Sequence, residues 1–490
     1  MVNFPFPTPP ETSAVLEAES CLKALEALDN DGRLTPLGKA MARYPLSPRH
    51  SRMLLTVIQI MRNLKTYDRA NLVLAYSVAA AAALSTSNPF VMMFEGSQVK
   101  DDLEQYDRSL ELADTKAEEK VEKSLKKKLK EAGKLSREKF SNPTSDALTI
   151  AYALQCFELS ESPVAFCNTH TLHLKTMQEM SKLRKQLLQL VFNHSGSAIA
   201  DSDFSWTNGT LEDVENVWRI PSNKHPLSLN EEEIIGQAIC AGWPDRVAKR
   251  IREISKSTED DRKERTGKYQ ACMVKENVFL NRRSSVSRSA PEFLVYNELL
   301  CTKRPYMHGL TSVKPNWLVK YASSLCTFSA PLTDPRPYYD PQNDTVFSWV
   351  APTFGPHLWK LPLHNAPIKD NAHGVAVFAC ALLEGNVLPC LKYVRKFMAA
   401  PPSSILRPEA LGQKRVGNLL SRLKSKKINS CATLRVVWKD NPYELHSEIL
   451  DWFQESYHSH FEDLWSQMLC EVQEPPERLS RKLKRAKKKF

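Results

Sequence analysis

Residues 25–49 read LEALDNDGRLTPLGKAMARYPLSPR, and this stretch decides the fold of the N-terminal region. Its DNDG run at 29–32 predicts a tight turn. Thr35-Pro36 and Ser47-Pro48 each place a capping side chain before a proline, which predicts two helix starts. Upstream, Thr8, Pro9, Pro10 and Glu11 form the pattern of an N-cap with its capping-box acid. The sequence therefore predicts a compact, mostly helical unit of about sixty residues.

A second helical unit follows. An alanine-rich stretch predicts a helix over 67–84, in which the alanines 79–83 allow close packing. Apolar spacing predicts more helices around 97–113, 143–159, 163–192 and 231–241. Between them, residues 114–140 hold 16 charged residues in 27. This composition predicts a solvated helix or mobile insertion rather than core.

The pattern changes to β structure between Gly267 and Val313. Short runs (YQACMV, NVFLN, EFLVYNELLC, HGLTSV) are separated by polar turns, as in a small antiparallel barrel or sandwich. Residues 331–367 then contain eight prolines among aromatic residues, so we expect an extended segment with its aromatic rings docked.

The last unit combines four predicted features. They are an apolar helical stretch from Val375 to Met398, a basic stretch Lys414–Lys427, a strand Leu434–Trp438, and a long helix after Pro442. The buried stripe expected on that helix consists of Leu445, Ile449, Trp452, Leu464, Trp465 and Met468.

Cysteine usage and hydropathy indicate the compartment. The 11 cysteines are odd in number and form no C-x-x-C pair, which argues against a disulfide framework and a zinc knuckle. No secretory leader is visible, and the longest apolar run, Leu72 to Leu84, is too short to span a bilayer. We expect a soluble intracellular protein.

Several motifs of catalysis are absent from these 490 residues. The phosphate-loop pattern G-x-x-x-x-G-K-[ST] does not occur, and neither do G-x-G-x-x-G, G-x-S-x-G or H-E-x-x-H. His170 and His173 are three apart on a predicted helix, but no third metal ligand accompanies them. The same is true of His458 and His460. We expect no catalytic residues, no bound cofactor and no metal in this chain.

Charge points to a polyanionic partner. Lys and Arg total 67 against 56 Asp and Glu, a net charge of +11, and eight of the excess positive charges lie in residues 478–490. That basic tail is typical of nuclear localisation or RNA-backbone contact.

Three further groups of cations are candidate RNA contacts. Lys175, Lys182 and Lys185 gather with Gln178 on one face of the predicted helix 170–192, as either an ordinary solvated surface or a wall that tracks phosphates. Arg282 with Arg283, and Lys303 with Arg304, lie at predicted turns of the barrel, where oligonucleotide-binding folds present contacts.

The motif across Leu25–Arg49, preceded by FPFPTPPE, resembles the winged-helix entry of DEAH-box RNA helicases. LSTSNPF at 84–90, LRKQL at 183–187, AICAG at 238–242 and the T-K-x-x-Y-M pattern that ends at Met307 are also similar to family motifs. The similarity covers about residues 1–330, and the segments beyond resemble the nucleolar subgroup of the small-subunit processome.

The resemblance implies an α+β multidomain fold. Its expected parts are a winged helix (1–63), a helical ratchet-like bundle (64–245) with the charged insertion, an OB-fold β-barrel (246–330), an α+β C-terminal extension (331–477) and a basic tail (478–490). In the family the ratchet helix carries an arginine that contacts RNA, and Lys175 stands at the matching position. Arg282-Arg283 replace a family His-Pro pair, so contacts at these positions are expected in kind rather than in detail.

The implied function is the RNA-channel and partner-docking half of an ATP-dependent helicase that acts in ribosomal RNA processing and small-subunit biogenesis, in the nucleolus. Expected partners are pre-ribosomal or small nucleolar RNA, a processome activator protein and upstream RecA-like lobes, with no membrane. ATP and magnesium are expected for the full-length helicase, whose ATPase lobes would lie upstream of Met1. The alternative is a motorless RNA-binding or scaffold protein derived from such a helicase.

Overall fold

The computed structural model describes residues 7–64, 67–90, 131, 135–193, 204–251, 267–301, 304–368, 372–407, 409 and 412–473. The chain divides into two compact units. The first comprises residues 1–326 and 354–359, and the second comprises 327–353 and 360–490. In the described ranges, no helix has both the length and the apolar character needed to cross a membrane.

The first unit begins with helices. Their bounds are α1 Thr12–Ala24, α2 Pro36–Ala42, α3 Pro48–Asn63, α4 Ala70–Ser85, α5 Asp146–Glu158, α6 Pro163–His170, α7 Leu174–Asn193, α8 Leu211–Trp218 and α9 Leu229–Gly242. Side-chain caps set several of the starts: the hydroxyls of Thr35, Ser145 and Ser162 each accept a hydrogen bond from a backbone N–H in the first turn.

The N-terminal motif folds largely as its punctuation predicts. Helices α2 and α3 begin at Pro36 and Pro48, and an antiparallel bridge between Leu28 and Leu34 closes the 29–32 turn. A Cβ atom at Gly38 would collide with the carbonyl oxygen of Ala27, so this position requires glycine. The predicted N-cap at Thr8 is wrong, because α1 starts only after Glu11.

Helix α4 is the centre of the helical part. Every residue from Leu72 to Leu84 is buried. Because residues 79–83 are all alanine, α5, α7 and α8 can pack closely against it. The Ala-rich stretch is therefore a core helix, as predicted.

Two predictions in this region need correction. The continuous helix predicted over 163–192 is broken, because Thr171 takes a left-handed conformation (φ 50°) between α6 and α7. Residues 135–140, expected to be part of a solvated insertion, are helical, and Phe140 is fully buried against the rings of Tyr152 and Phe166. Core packing, not charge composition, decides this segment. Residues 114–130 and 132–134 of the insertion, and the helix predicted over 97–113, lie outside the described residues.

A seven-stranded sheet forms the β part of this unit. The strands are β1 Val247–Arg250, β2 Lys268–Ala271, β3 Asn277–Leu280, β4 Phe293–Val295, β5 Glu298–Cys301, β6 Pro305–His308 and β7 Thr311–Val313, in the order β5-β6-β3-β2-β1-β4-β7. Neighbours are antiparallel except β3 and β6, which pair in parallel, so the purely antiparallel prediction is wrong there. Strand β1 precedes the predicted β region, and its Ala248 packs with Tyr269 and Val278 in the sheet core. Helix α10 (Pro315–Tyr321) follows the sheet.

Short strands succeed one another in the proline-rich region. They are β8 Cys326–Phe328, β9 Tyr338–Asp340, β10 Thr345–Val350, β11 Pro352–Phe354, β12 Trp359–Lys360 and β13 His364–Pro367, in two three-stranded sheets ordered β13-β10-β9 and β12-β11-β8. Phe354 and Trp359 are buried as expected, whereas Tyr338 is 41% exposed. The backbone is extended but hydrogen-bonded into sheets.

Helices follow in the second unit. They are α11 Ala372–Leu383, α12 Cys390–Val394, α13 Lys414–Ser425, α14 Cys431–Asp440, α15 His446–Leu450 and α16 Phe461–Gln473. Three further predictions are corrected here. The strand expected at Leu434–Trp438 lies within α14, the helix expected after Pro442 is divided into α15, a 3-10 turn and α16, and the 375–398 stretch is interrupted after α11. The predicted buried stripe is nevertheless entirely in the core, where Trp438 also packs against Trp465.

Candidate nucleic-acid interface

Helix α7 separates an apolar face from a cationic one. Met177, Met180 and Leu187 are buried, while Lys175, Lys182 and Lys185 are exposed, as is Gln178. The helical period places these lysines on one side over a length of about 15 Å.

A buried ion-pair network fixes the position of α7. The guanidinium of Arg184 is completely buried and donates to the carboxylates of Glu158 on α5 (3.0 Å) and Glu215 on α8 (3.0 Å). It also lies 4.9 Å from the ring centroid of Trp218, whose indole N–H donates to Glu158 (2.8 Å). Arg184 therefore anchors the helix, while the exposed Lys185 lines a surface pocket beside Glu158, Glu215 and Trp218.

The seven-stranded sheet, called the barrel from here on after its predicted fold, presents its arginines in the turn after β3. Arg282 and Arg283 are both exposed there, directly before a 3-10 turn at 285–287. The backbone N–H of Arg283 donates to the side-chain oxygen of Asn281 (2.9 Å), which holds the turn.

Asp146, the first residue of α5, clamps this turn to the helical part. Its carboxylate accepts hydrogen bonds from the hydroxyl of Ser284 (2.8 Å) and from both the hydroxyl (2.8 Å) and the N–H (2.9 Å) of Ser285. It also accepts from the N–H of Leu310 (3.0 Å). Since the four donors come from two segments of the barrel, one carboxylate sets where the arginines sit relative to α5.

A small cleft of about 60 Å³ lies beside this clamp. Arg137, Arg283, Asn88, Phe90, Asn281 and His308 are among the residues that line it. This volume is comparable with that of about two water molecules, so the cleft suits a phosphate group better than a whole nucleotide.

Two guanidinium groups meet at the cleft. Arg137 is half-buried, and among the described residues neither it nor Arg283 forms a salt bridge. Burial, and next the charge of Arg283, lower the pKa of Arg137. Its guanidinium stacks 5.8 Å from the ring centroid of Phe90. Asp146 is the one acid in the described lining, and its carboxylate already accepts from Ser284, Ser285 and Leu310. The two guanidiniums therefore remain to bind an anion, and their planar donors match phosphate oxygens.

The remaining candidates are dispersed. Arg304 is exposed at the start of β6, with its guanidinium 5.0 Å from the ring centroid of Phe279, and does not line the cleft. Lys303 lies outside the described residues. Arg282 is exposed beside Arg283 without lining the cleft. The start of helix α7 lies near the cleft. His173, the residue before α7, donates its N–H to the carbonyl of Pro89 (2.8 Å), next to the cleft residue Phe90.

The histidines singled out in the sequence have packing or turn positions. His170 ends α6, and its ring lies against Phe140 (5.1 Å) and Phe166 (4.6 Å). His173 precedes α7, so the prediction that both histidines lie on one helix is wrong. His458 and His460 lie in the 3-10 turn before α16. Within the described ranges, no three His, Cys, Asp or Glu residues are grouped to hold a metal ion.

Sequence reasoning missed Arg137, Asn281, Asn88 and His308. Arg137 lies in the segment whose charge density suggested a solvated insertion, and only the buried Phe140, three residues on, could have signalled otherwise. Asn281 and His308 are 27 residues apart in the chain, yet the Asn281 amide lies 3.3 Å from a His308 ring nitrogen. Burial of the ring lowers the pKa of His308, which favours its neutral form.

Comparison with known proteins adds four domain matches in chain order. Residues 18–46 match the winged-helix helicase-associated domain (HA2), 47–150 match the ratchet-like HA2 domain, and 235–325 match an oligonucleotide/oligosaccharide-binding OB-fold. Residues 390–469 match the C-terminal domain of the DEAH helicase DHX37. The predicted fold class is thereby confirmed, and the chain is a set of helicase-associated domains.

Curated relatives specify the family. The chain is 54% identical over 473 residues to the ATP-dependent RNA helicase DEAH13 of Arabidopsis thaliana, covering 96% of this chain and 36% of that protein. It is 27% identical over 480 residues to the probable ATP-dependent RNA helicase DHX37 of Homo sapiens, covering 95% of this chain and 37% of that protein. Over 267 residues it is 31% identical to the probable ATP-dependent RNA helicase DHR1 of Saccharomyces cerevisiae, which covers 51% of this chain and 18% of that protein.

The chain therefore carries the C-terminal domains of DEAH-box RNA helicases. It spans little more than a third of the length of the first two of these relatives.

Proposed function

We propose that this chain forms the RNA-gripping wall of an ATP-dependent DEAH-box RNA helicase. The observation that carries the proposal is the meeting of Arg137 and Arg283 at a cleft between the helical part and the barrel, with no salt-bridge partner among the described residues. The exposed lysines of α7 add to this observation, because His173, directly before α7, donates to the carbonyl of Pro89, next to the cleft residue Phe90.

The chemistry of the wall is independent of base sequence. Arg137 and Arg283 bind one phosphate, and Lys175, Lys182 and Lys185 contact phosphates further along the strand by displacing condensed counterions. Asp146 and Arg184 touch no RNA but hold the barrel turn and α7 in place. In the whole helicase, ATP and magnesium act at upstream RecA-like lobes, whose movement would draw the strand along this wall.

RNA affinity as a function of salt tests the proposal. The variant for this test is Lys175→Ala/Lys182→Ala/Lys185→Ala, which removes three cations that bind phosphates. The plot of log affinity for oligo(U) against log salt should become shallower by about 2 in slope, since each phosphate bound on a single strand contributes about 0.7. The double variant Arg137→Ala/Arg283→Ala should lower the affinity for oligo(U) more than the triple lysine variant does.

A matched control removes three exposed lysines elsewhere in the same unit, at Lys39, Lys224 and Lys320. Its slope should remain that of the unaltered chain. If the control and the α7 variant have equal slopes of log affinity against log salt, RNA binding depends only on the net charge of the chain. The assigned wall would then be wrong.

We further propose that the helicase acts in ribosomal RNA processing and small-subunit biogenesis in the nucleolus. The similarity of residues 390–469 to the DHX37 C-terminal domain supports this assignment, as do the sequence resemblance to the nucleolar subgroup and the basic tail. Its RNA would be pre-ribosomal or small nucleolar RNA, and residues 331–477 would dock an activator protein. Crosslinking of the tagged full-length protein to RNA in cells, followed by sequencing, tests the substrate class; reads without ribosomal or small nucleolar RNA would overturn it.

A further inference from the structure

The second unit contains a cavity of about 750 Å³ that the RNA-gripping wall does not use. Its walls come from the start of α11, the 3-10 turn at 402–406, α13 and the segment 333–337 before β9. The volume is within the range of about 300–1,000 Å³ that is typical of ligand-binding clefts.

The inner surface of the cavity is largely apolar. Val375 and Ala376 of α11, Ile405 and Leu406 of the 3-10 turn, and Leu420 of α13 line it. These side chains border the main core of the unit, so the surface is rigidly supported. An occupant gains free energy here by burying apolar side chains.

The rim carries positive charge. Arg336, Arg407 and Lys424 line the cavity from three of its walls and are all exposed. Within the described part of the chain, none of the three forms a salt bridge, and no carboxylate is among the lining residues. We call these three residues the rim cations. A site of this charge favours carboxylates on its occupant.

The described lining contains no Phe, Tyr or Trp, and His373 supplies its single aromatic ring, which distinguishes between polyanions. Surfaces for single-stranded nucleic acid combine cations with aromatic rings on which bases stack. Aliphatic side chains with flanking cations instead match an amphipathic protein segment whose apolar face enters the groove.

We propose that this cavity docks an acidic, amphipathic segment of a partner protein. The inference deepens the partner docking proposed above, and it does not depend on the RNA-gripping wall. Leucine-like side chains of the segment fill the cavity, and its Asp or Glu residues pair with the rim cations.

Fluorescence anisotropy of a labelled probe peptide with the intact chain tests the inference. The probe repeats the unit Glu-Leu-Leu-Glu-Asp, and the comparison peptide has serine in place of each leucine. We expect binding of the probe only, weakened about tenfold or more by Arg336→Glu/Arg407→Glu/Lys424→Glu. These rim positions are exposed, so the substitutions leave the fold intact.

A matched control reverses Lys392, Lys396 and Lys439, which are exposed in the same unit and do not line the cavity. It should bind the probe within about twofold of the unaltered chain, because distant exposed charges are screened. No binding of the probe, equal binding of the serine peptide, or an equally weakened control would each overturn the inference. If the rim variant loses oligo(U) affinity and keeps the probe, the cavity is a nucleic-acid surface. Oligo(U) binding that is unchanged in the rim variant would show that the rim cations do not bind RNA. The RNA-gripping wall is tested separately, by the α7 variant.

Discussion

Replacing Asp146 by asparagine should release the barrel turn that carries Arg283. The carboxylate of Asp146 accepts four hydrogen bonds from the Ser284-Ser285 turn and from Leu310. Asparagine has nearly the same shape but only one acceptor oxygen, and its amide group would face donors. The serine hydroxyls can reverse direction, whereas the N–H groups of Ser285 and Leu310 cannot.

The structure sets the expected size of this effect. The two backbone N–H groups bond to different carboxylate oxygens, so at least one of them is left without its acceptor. Hydrogen bonds to a charged group contribute about 1.5–3 kcal/mol each, and those that remain are no longer charge-assisted. A total of about 3 kcal/mol in the local opening free energy corresponds to an opening equilibrium about a hundredfold larger.

Amide hydrogen exchange measures that opening directly. The N–H groups of Ser285 and Leu310 should exchange about a hundredfold faster in Asp146→Asn, since exchange reports local opening. Affinity for oligo(U) should fall by less than in Arg283→Ala, because the arginine is still present but loosely placed. Asp68→Asn is the control, an exposed acid in the same unit. Unchanged exchange at both amides would refute the clamp, and a control that also speeds them would show a global effect.

Three other variants probe the fold. Arg184→Met should lower the free energy of unfolding by about 3 kcal/mol in urea titrations, because it removes a completely buried cation from two mostly buried carboxylates; a decrease under about 1 kcal/mol would contradict the anchoring role. Burial lowers the pKa of His225 to about 4, so the folded state keeps the neutral ring, and stability should fall as pH drops from about 6.5 toward 4. His225→Phe should flatten that decline, and parallel curves for both proteins would refute the assignment. Gly38→Ala should lower the melting temperature through its collision with Ala27, whereas an unchanged value would mean that the turn adjusts freely.

Local patterns predicted the elements whose signals are local. The Thr35-Pro36 and Ser47-Pro48 helix starts are confirmed, because a proline acts within the first turn. Thr35 also caps its helix, whereas Ser47 makes no side-chain cap hydrogen bond. The strand predicted at Leu434–Trp438 is wrong because two adjacent valines favour β structure locally. Tertiary packing overrides that preference: as a helix, the segment buries Leu434 and Trp438, four residues apart, on one face, and leaves Val436 exposed.

The candidate interface was only partly predictable. Helical spacing placed Lys175, Lys182 and Lys185 on one face, and turn residues placed Arg283 at the barrel rim. Arg137 could not be found, because the charges around it carry no information about the buried Phe140 that fixes its helix.

The sequence by itself determined the domain types, their order and the cationic face of α7, since motifs, periodicity and charge act over short chain distances. Only the tertiary structure decided that Arg137, Asn281, Arg283 and His308 share one cleft. Their convergence depends on Asp146, whose carboxylate bonds to donors 138–164 residues away in the chain. No local pattern encodes a contact of that kind, because its free energy comes from groups that meet only after the core has formed.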